Sequence, residues 1–276
     1  MDDLTEASER AVVVVVTSTD PALRATAAAR AEALGLSFVN DAAGLPAGTL
    51  LLTLDADGWS LADPAPGAPG AVRADLIGGG LGERLRQGGR GEGRLASALG
   101  LKRHPGARVL DATAGLGRES ALAAALGCTV IACERSPIVG TLLRDGFDRA
   151  AEEPGLALVL DRIDLRVEDA RDVLASLAAG DDEARPDAVI VDPMFPERSK
   201  AARAKKEMQL LQRLLGPDDP RDTIALIEAA LATARRRVIL KRPAHAPQVA
   251  GVRAPDLEVP GRSARYDVYL IAPPRL

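Results

Sequence analysis

Short apolar runs alternate with helix-forming segments from residue 107 to residue 242, and this alternation constrains the fold most. Strands joined by helices form parallel sheets through right-handed crossovers, and near-continuous Val, Ile and Leu runs indicate strands covered on both faces. The predicted strands are 107–112, 128–134, 163–167, 187–192 and 236–242. The predicted helices are 119–126, 137–151, 170–178, 200–215 and 223–234.

Two further strands are predicted near the C-terminal end, at 257–259 and 266–271, where they can pair as an antiparallel hairpin. Together with the five earlier strands they complete a mostly parallel, Rossmann-like sheet of seven strands. We therefore assign residues 96–276 to one α/β domain.

The first 72 residues predict a separate, small α+β domain. Five valines follow Ala11 and indicate a buried strand, because β-branched side chains favour the extended backbone. A helix is predicted over 21–34, with short strands at 37–40 and 49–54. No motif in this region points to a chemical function.

Residues 73–95 contain eight glycines among five arginines and are predicted to form a linker. So much glycine disfavours a continuous helix. Backbone amides and guanidinium groups also suit contacts with phosphates, which makes Arg90 and Arg94 candidate nucleic-acid contacts. A flexible linker and a phosphate-binding segment are both compatible with this composition.

The composition argues against several classes of function. The net charge of −4 requires any nucleic-acid contact to come from a local basic patch. The two histidines are isolated, and Cys128 and Cys133 lack metal-ligand spacing, so no metal site is predicted. We expect the two cysteines to be buried, reduced thiols on opposite faces of one strand.

No apolar segment reaches the ~18 residues of a membrane span. The acidic start is not typical of a signal peptide, so a cytoplasmic location is predicted.

A glycine-containing motif, DATAGLGRE at 111–119, lies where the first strand of the α/β domain gives way to its first helix. Gly115 and Gly117 allow a tight turn and close approach of a ligand, and the helix N-terminus favours an anionic group. We expect Asp111 to accept from the ammonium of an amino-acid ligand. Glu134, at the end of the second strand, is predicted to bind the ribose hydroxyls of an adenosine-containing cofactor. NAD and S-adenosylmethionine (SAM) both fit these residues.

Two acidic residues, Glu168 and Asp169, follow the third strand. One interpretation is that they bind the adenine amine of the cofactor. The other is that they begin the next helix, with Asp169 as its cap.

The motif DPMF, at 192–195, follows the fourth strand, at the sheet edge where open α/β sheets bind ligands. The lone pair of an exocyclic base amine is delocalised into the ring, and a carboxylate that accepts from its N–H groups would localise and orient that pair. Asp192 would supply the carboxylate, Pro193 would rigidify the turn, and Phe195 would stack on the base. These three are the predicted catalytic residues. The alternative is a structural Asp-Pro turn with Phe195 in the core.

Two basic segments lie near this motif in the predicted fold. The first contains Lys200, Lys205 and Lys206, and the second contains Lys241 and Arg242 at the end of the fifth strand. We expect both to contact nucleic-acid phosphates. The alternative is ordinary surface charge on a helix and at a strand end.

The motifs together resemble a known family. DATAGLGRE, Glu134 with Arg135, DPMFP followed by KKEM, KRP, and QGGRGEG at 87–93 are similar to those of RsmJ, the bacterial small-subunit ribosomal RNA guanine-N2 methyltransferases. The resemblance covers residues 73–271. It implies the class I methyltransferase fold, SAM as methyl donor, and methylation of a guanine N2 amine in 16S ribosomal RNA.

The resemblance also implies a set of cofactor contacts. They are Arg118, Glu119, Glu134, Arg135, Glu168, Asp169 and Asp192. Other amine methylases, acting on DNA adenine or cytosine or on protein glutamine, share the DPMF chemistry and remain alternatives. An NAD-binding oxidoreductase lacks support from the glycine spacing, and the intact Asp192 argues against a non-catalytic RNA-binding module.

Overall fold

The computed structural model describes residues 12–68, 70–193, 206–216 and 219–271. The chain forms two compact units, with the boundary between Val72 and Arg73. The first unit also takes in the helix Lys206–Leu215. No helix within these ranges is long and apolar enough to cross a membrane.

The elements are numbered in chain order. The strands are β1 (Val14–Ser18), β2 (Ser37–Phe38), β3 (Leu50–Asp55), β4 (Gly58–Ala62), β5 (Arg108–Asp111), β6 (Thr129–Cys133), β7 (Ile163–Arg166), β8 (Ala188–Val191), β9 (Arg237–Pro243), β10 (Leu257–Val259) and β11 (Ala264–Leu270). The α-helices are α1 (Arg24–Leu34), α2 (Gly79–Arg86), α3 (Gly93–Leu99), α4 (Arg118–Ala125), α5 (Pro137–Ala151), α6 (Ala157–Leu160), α7 (Ala170–Ala179), α8 (Lys206–Leu215) and α9 (Pro220–Thr233). Short 3-10 turns lie at Pro21–Leu23 and Asp182–Ala184.

The first unit is built on a four-stranded sheet in the order β2-β1-β3-β4. The valine run forms β1, which is buried along its whole length and pairs in parallel with β2 and β3. β3 and β4 form an antiparallel pair. The helix α8 belongs to this unit, where Arg213 forms an ion pair with Asp63. This differs from the predicted division, which placed the whole of 96–276 in one domain.

The second unit contains a seven-stranded sheet in the order β10-β11-β9-β8-β5-β6-β7. The five strands from β9 to β7 are parallel, whereas β11 pairs antiparallel with β9 and with β10. The mostly parallel sheet and its C-terminal hairpin are therefore confirmed.

Three helices of the second unit, α5, α7 and α9, begin at a residue whose side chain caps the helix. The Ser136 hydroxyl accepts from the Val139 amide and Pro137 occupies the first turn of α5, so α5 starts where the sequence predicts. Asp169 and Asp219 cap α7 and α9 in the same manner.

The sheet of the second unit carries a hydrophobic core on each face. Cys128 belongs to one core and Cys133 to the other, and both thiols are free. The prediction of two buried thiols on opposite faces is confirmed. Burial raises the pKa of Cys128 to about 11 and that of Cys133 to about 12.

Residues 73–95 differ from the predicted linker. They contain α2 and the start of α3, and Leu76, Leu85 and Leu95 are buried in one core of the second unit. The leucines recur among the glycines and bury enough apolar surface to stabilise two short helices, despite the low helix propensity of glycine. The segment is thus an integral part of the second unit.

Candidate active site

The strand order of the second unit creates a crevice beside β5. β6 lies on one side of this strand and β8 on the other, so the connections after β5 and β8 run to opposite sides. Open α/β sheets bind their ligands at such a reversal, beyond the carboxyl ends of the strands. The glycine motif follows β5 and Asp192 follows β8, so both lie at this edge of the sheet.

The two glycines of the loop serve different purposes. Both have the left-handed backbone, with φ +55° at Gly115 and +81° at Gly117. A Cβ at Gly117 would lie 2.5 Å from Leu143 Cδ1 and 2.7 Å from Phe147 Cε1, so this glycine permits packing against α5. A Cβ at Gly115 would meet only the Thr113 carbonyl oxygen, at 3.9 Å. Gly115 therefore presents an open stretch of backbone that a ligand can approach.

Asp111 stabilises the loop from within. Its side chain is 1% exposed, Oδ2 accepts from the Ser120 hydroxyl at 2.6 Å, and Oδ1 accepts from the Thr113 amide at 3.2 Å. Burial, together with the negative charges of Glu119 and Asp192, raises the pKa of Asp111 to about 7, although the Ser120 hydrogen bond opposes the rise. The structure therefore corrects the predicted ammonium contact, because this carboxyl group is enclosed by protein.

Glu134 links the loops that follow β5 and β6. Its Oε2 accepts from the Gly115 amide at 3.0 Å and its Oε1 accepts from the Ser136 amide at 2.7 Å. A carboxylate oxygen has two lone pairs and can accept more than one hydrogen bond, so Glu134 has the chemistry to bind a ligand hydroxyl as well. The predicted position of Glu134 at the end of the second parallel strand, beside the glycine loop, is the one observed.

Asp192 is held by partners from two other parts of the sheet edge. Its backbone amide donates to Thr113 Oγ1 at 2.7 Å, and its carboxylate Oδ2 accepts from Lys241 Nζ at 2.7 Å. Lys241 Nζ also donates to Glu119 Oε1 at 2.7 Å. Removal from water raises the pKa of Asp192, and the Lys241 ammonium opposes that rise. Pro193 is buried beside it, while Met194 and Phe195 lie outside the described residues.

The acidic pair after β7 is arranged as a helix start. The Asp169 carboxylate accepts from the Arg171 amide at 2.8 Å and forms an ion pair with the Arg171 side chain at 2.7 Å. Arg171 and Arg135 both contact Asp222 on α9, and Glu168 is exposed. The helix-cap interpretation of Asp169 is therefore the one the geometry favours. These contacts leave Glu168 as the more accessible acidic group of the pair.

The predicted phosphate contacts at the end of β9 require correction. Lys241 is engaged by two carboxylates, and the Arg242 side chain is 6% exposed, 3.8 Å from Asp267. Successive side chains of a strand point to opposite faces, so only one of the two can face the crevice. Arg94 donates to the Ala264 carbonyl at 3.1 Å, whereas Arg90 is exposed. Lys200 and Lys205, and the side chain of Lys206, lie outside the described residues.

Sequence reasoning missed the structural roles of Thr113, Ser120 and Lys241. Thr113 and Ser120 lie within or next to the glycine motif, and a search for hydroxyl partners of Asp111 and Asp192 could have found them. The role of Lys241 could be recognised only from the pairing of β8 with β9, which sequence periodicity alone does not reveal.

The residues at this edge suit an adenosine-containing, zwitterionic cofactor such as SAM. The open backbone at Gly115 and the acceptor Glu134 are side by side, as the amino-acid and ribose parts of such a molecule require. Within the described ranges, no group of three or more His, Cys, Asp or Glu side chains is arranged to hold a metal ion.

Comparison with known families agrees with this geometry. Residues 5–271 match the family model SAM_MT, described as "Putative SAM-dependent methyltransferase". A solved structure of a SAM-dependent methyltransferase from Neisseria gonorrhoeae is 31% identical, with a TM-score of 0.68, and the match covers 94% of this chain and 96% of that one. Fold, site and family model define a class I methyltransferase whose cofactor is SAM.

Curated relatives narrow the family further. The "Ribosomal RNA small subunit methyltransferase J" of Thioalkalivibrio sulfidiphilus is 44% identical over 248 residues, which are 90% of this chain and 94% of the relative. The protein of the same name from Nitrosococcus oceani is 42% identical over 86% of this chain and 90% of its own length. The chain belongs to the ribosomal RNA small subunit methyltransferase J family.

Proposed function

We propose that this enzyme transfers a methyl group from SAM to the exocyclic N2 amine of a guanine in 16S ribosomal RNA. The observation that carries the proposal is the position of Asp192. Its carboxylate follows β8 at the strand-order reversal, and its backbone is tied to the glycine loop through Thr113. The names of the relatives support small-subunit ribosomal RNA as the substrate.

The chemistry follows from the contacts of Asp192. SAM supplies an electrophilic methyl group when bound. Asp192 would accept a hydrogen bond from the target amine and so direct the nitrogen lone pair toward the crevice. Because Lys241 occupies Oδ2, the other oxygen, Oδ1, is the one we assign to the amine.

The cofactor would be held by the loops after β5 and β6. We assign the open backbone at Gly115 to the amino-acid portion and Glu134 to the ribose hydroxyls. Glu119, in contrast with the contact implied by the family motif, would act on the cofactor only indirectly, because it is engaged with Lys241.

The RNA would be held by basic groups around the crevice. Arg90 is exposed and remains a candidate, and Lys200, Lys205 and Lys206 remain predictions from the sequence. A ribosomal substrate also favours the predicted cytoplasmic location.

The test uses the full chain with small subunits from a strain that lacks the family gene. We expect methyl transfer from labelled SAM, with N2-methylguanosine as the product in nuclease digests analysed by mass spectrometry. Asp192→Ala should abolish transfer while calorimetry still detects SAM binding. The matched control is Asp172→Asn, which changes an exposed carboxylate on α7 and should leave the enzyme active.

Two results would contradict the proposal. Methylated adenine or cytosine in the digests would redirect it to another amine methylase. Wild-type turnover of Asp192→Ala would remove Asp192 from the chemistry.

A further inference from the structure

Strand pairing places Lys241 beside Asp192. Val191 of β8 is in register with Leu240 of β9. The residues that follow these two, Asp192 and Lys241, are therefore neighbours. The Lys241 side chain is 23% exposed, and its ammonium lies 2.7 Å from Asp192 Oδ2. This contact is therefore built into the alignment of two central strands.

A second carboxylate anchors the same ammonium. Glu119, in the first turn of α4, accepts from Lys241 Nζ at 2.7 Å. A lysine side chain loses considerable rotamer entropy when it is ordered, and one contact at a partly exposed site seldom compensates for that loss. Two charged hydrogen bonds on one ammonium hold it far more firmly than either would alone.

The charges around Lys241 are predominantly negative. Glu119 on α4 and Asp192 after β8 both contact it, and Tyr266 of β11 is its cross-strand neighbour. Burial by itself would lower the pKa of Lys241, but the two carboxylates raise it above its usual value. The ammonium therefore stays charged over the range in which the enzyme is assayed.

We propose that Lys241 is the positioning residue for Asp192. Anchored by Glu119, it fixes Asp192 Oδ2 and keeps the carboxylate ionised, which leaves Oδ1 available to the target amine. The inference rests on the proposed function of Asp192. It replaces the phosphate-binding role that the basic KRP segment indicated.

The central experiment compares Lys241→Met with Lys241→Arg in the full chain, using Lys102→Met as the matched surface control. We expect kcat of Lys241→Met to fall about tenfold or more, because the acceptor is no longer preorganised. KM for the RNA and the SAM dissociation constant, measured by calorimetry, should change by less than about threefold. Lys241→Arg should recover part of kcat, and Lys102→Met should match the wild type.

The pH profile separates positioning from a merely structural role. Without the ammonium, Asp192 should protonate more readily, so the acid limb of the kcat profile should move to higher pH in Lys241→Met. Turnover of the variant should then recover partly as pH rises. A loss of packing alone would lower kcat equally at every pH.

Folding is controlled with a second variant. Lys241→Met leaves two carboxylates close together, so circular dichroism and thermal unfolding accompany each assay. Should it fail to fold, Lys241→Met combined with Glu119→Gln removes the repulsion and still lacks the ammonium. The acid limb of this double variant should also lie at higher pH than that of the wild type.

The outcomes distinguish this inference from the proposed function. Unchanged or increased kcat in folded Lys241→Met, or an acid limb that does not move, would overturn the positioning role. If Asp192→Ala is inactive in the same assays, the proposed function remains intact. Wild-type turnover of Asp192→Ala would overturn both.

Discussion

The backbone amide of Asp192 donates to Thr113 Oγ1 at 2.7 Å, which joins the loop after β8 to the glycine loop after β5. The two residues are far apart in the chain and lie on adjacent strand ends. One side-chain hydroxyl therefore couples the proposed catalytic group to the cofactor loop, and its removal has a defined consequence.

Thr113→Val should weaken both stability and turnover. Valine has nearly the same shape but no acceptor, so the partly buried Asp192 amide would lose its partner at a cost of about 1–3 kcal/mol. Urea unfolding and steady-state kinetics measure the two effects. Thr113→Ser keeps the hydroxyl and should retain most of the activity; equal stability and turnover in the two variants would contradict the coupling.

Alanine substitutions at the two loop glycines should differ in their effect on stability. Gly117→Ala combines φ +81° with contacts to Leu143 and Phe147 far below van der Waals distance, so we expect a loss of about 3 kcal/mol or more. Gly115→Ala meets only backbone strain, about 1 kcal/mol. Its main effect should be weaker SAM binding by calorimetry. Similar unfolding midpoints for the two variants would show that the packing argument is wrong.

The stability of the protein should depend on the protonation of Asp111. Burial raises the pKa of this group from 3.8 to about 7, so the folded protein binds its proton more tightly than the unfolded chain does. The resulting stabilisation is complete below pH 3.8 and is lost as pH rises through about 7.

Asp111→Asn removes this titration, so the free energy of unfolding should fall less between about pH 5 and about pH 8.5 than it does in the wild type. Urea unfolding at the two pH values is the measurement. The exposed-site variant Asp172→Asn should keep the wild-type dependence, and an Asp111→Asn variant that also keeps it would refute the assignment.

Glu134→Gln should weaken SAM binding without unfolding the second unit. An amide side chain offers one acceptor oxygen, whereas the carboxylate serves the Gly115 and Ser136 amides with two. We expect the SAM dissociation constant to rise about tenfold in Glu134→Gln and further in Glu134→Ala. The total loss of binding free energy should not exceed a few kcal/mol. Calorimetry measures this, with Glu152→Gln as the control, because Glu152 is an exposed residue at the end of α5. An unchanged affinity of Glu134→Gln for SAM would exclude the ribose role.

Much of the second unit could be predicted because its local signals agree with its tertiary structure. The buried parts of β5, β6, β8 and β9 consist mainly of Val, Ile, Leu and Ala. Helix α5 starts at a Ser-Pro pair, which favours a helix start independently of its tertiary surroundings. The glycine loop was predictable for the same reason, since the left-handed backbone at Gly115 and Gly117 needs residues without a Cβ.

The errors arose where burial or pairing outweighs local preference. Helix α2 contains Gly79, Gly80 and Gly82, yet it forms because Leu85 is fully buried. Helix α8 lies within the α/β domain in sequence, between β8 and α9, but belongs to the first unit, which no periodicity could indicate. The basic character of Lys241 was evident, but its partners depend on strand order and on which face of β9 it occupies.

Two thiols, Cys128 immediately before β6 and Cys133 at its last residue, provide a means of detecting when the folded protein opens. Cys128 lies within one hydrophobic layer of the sheet and Cys133 within the other, so neither can react with an alkylating reagent while its own layer is closed. Their modification rates, followed by mass spectrometry under native conditions, report separately on the two sides of one strand. Similar rates would mean that the layers open together, and unequal rates would reveal which side of the sheet loosens first.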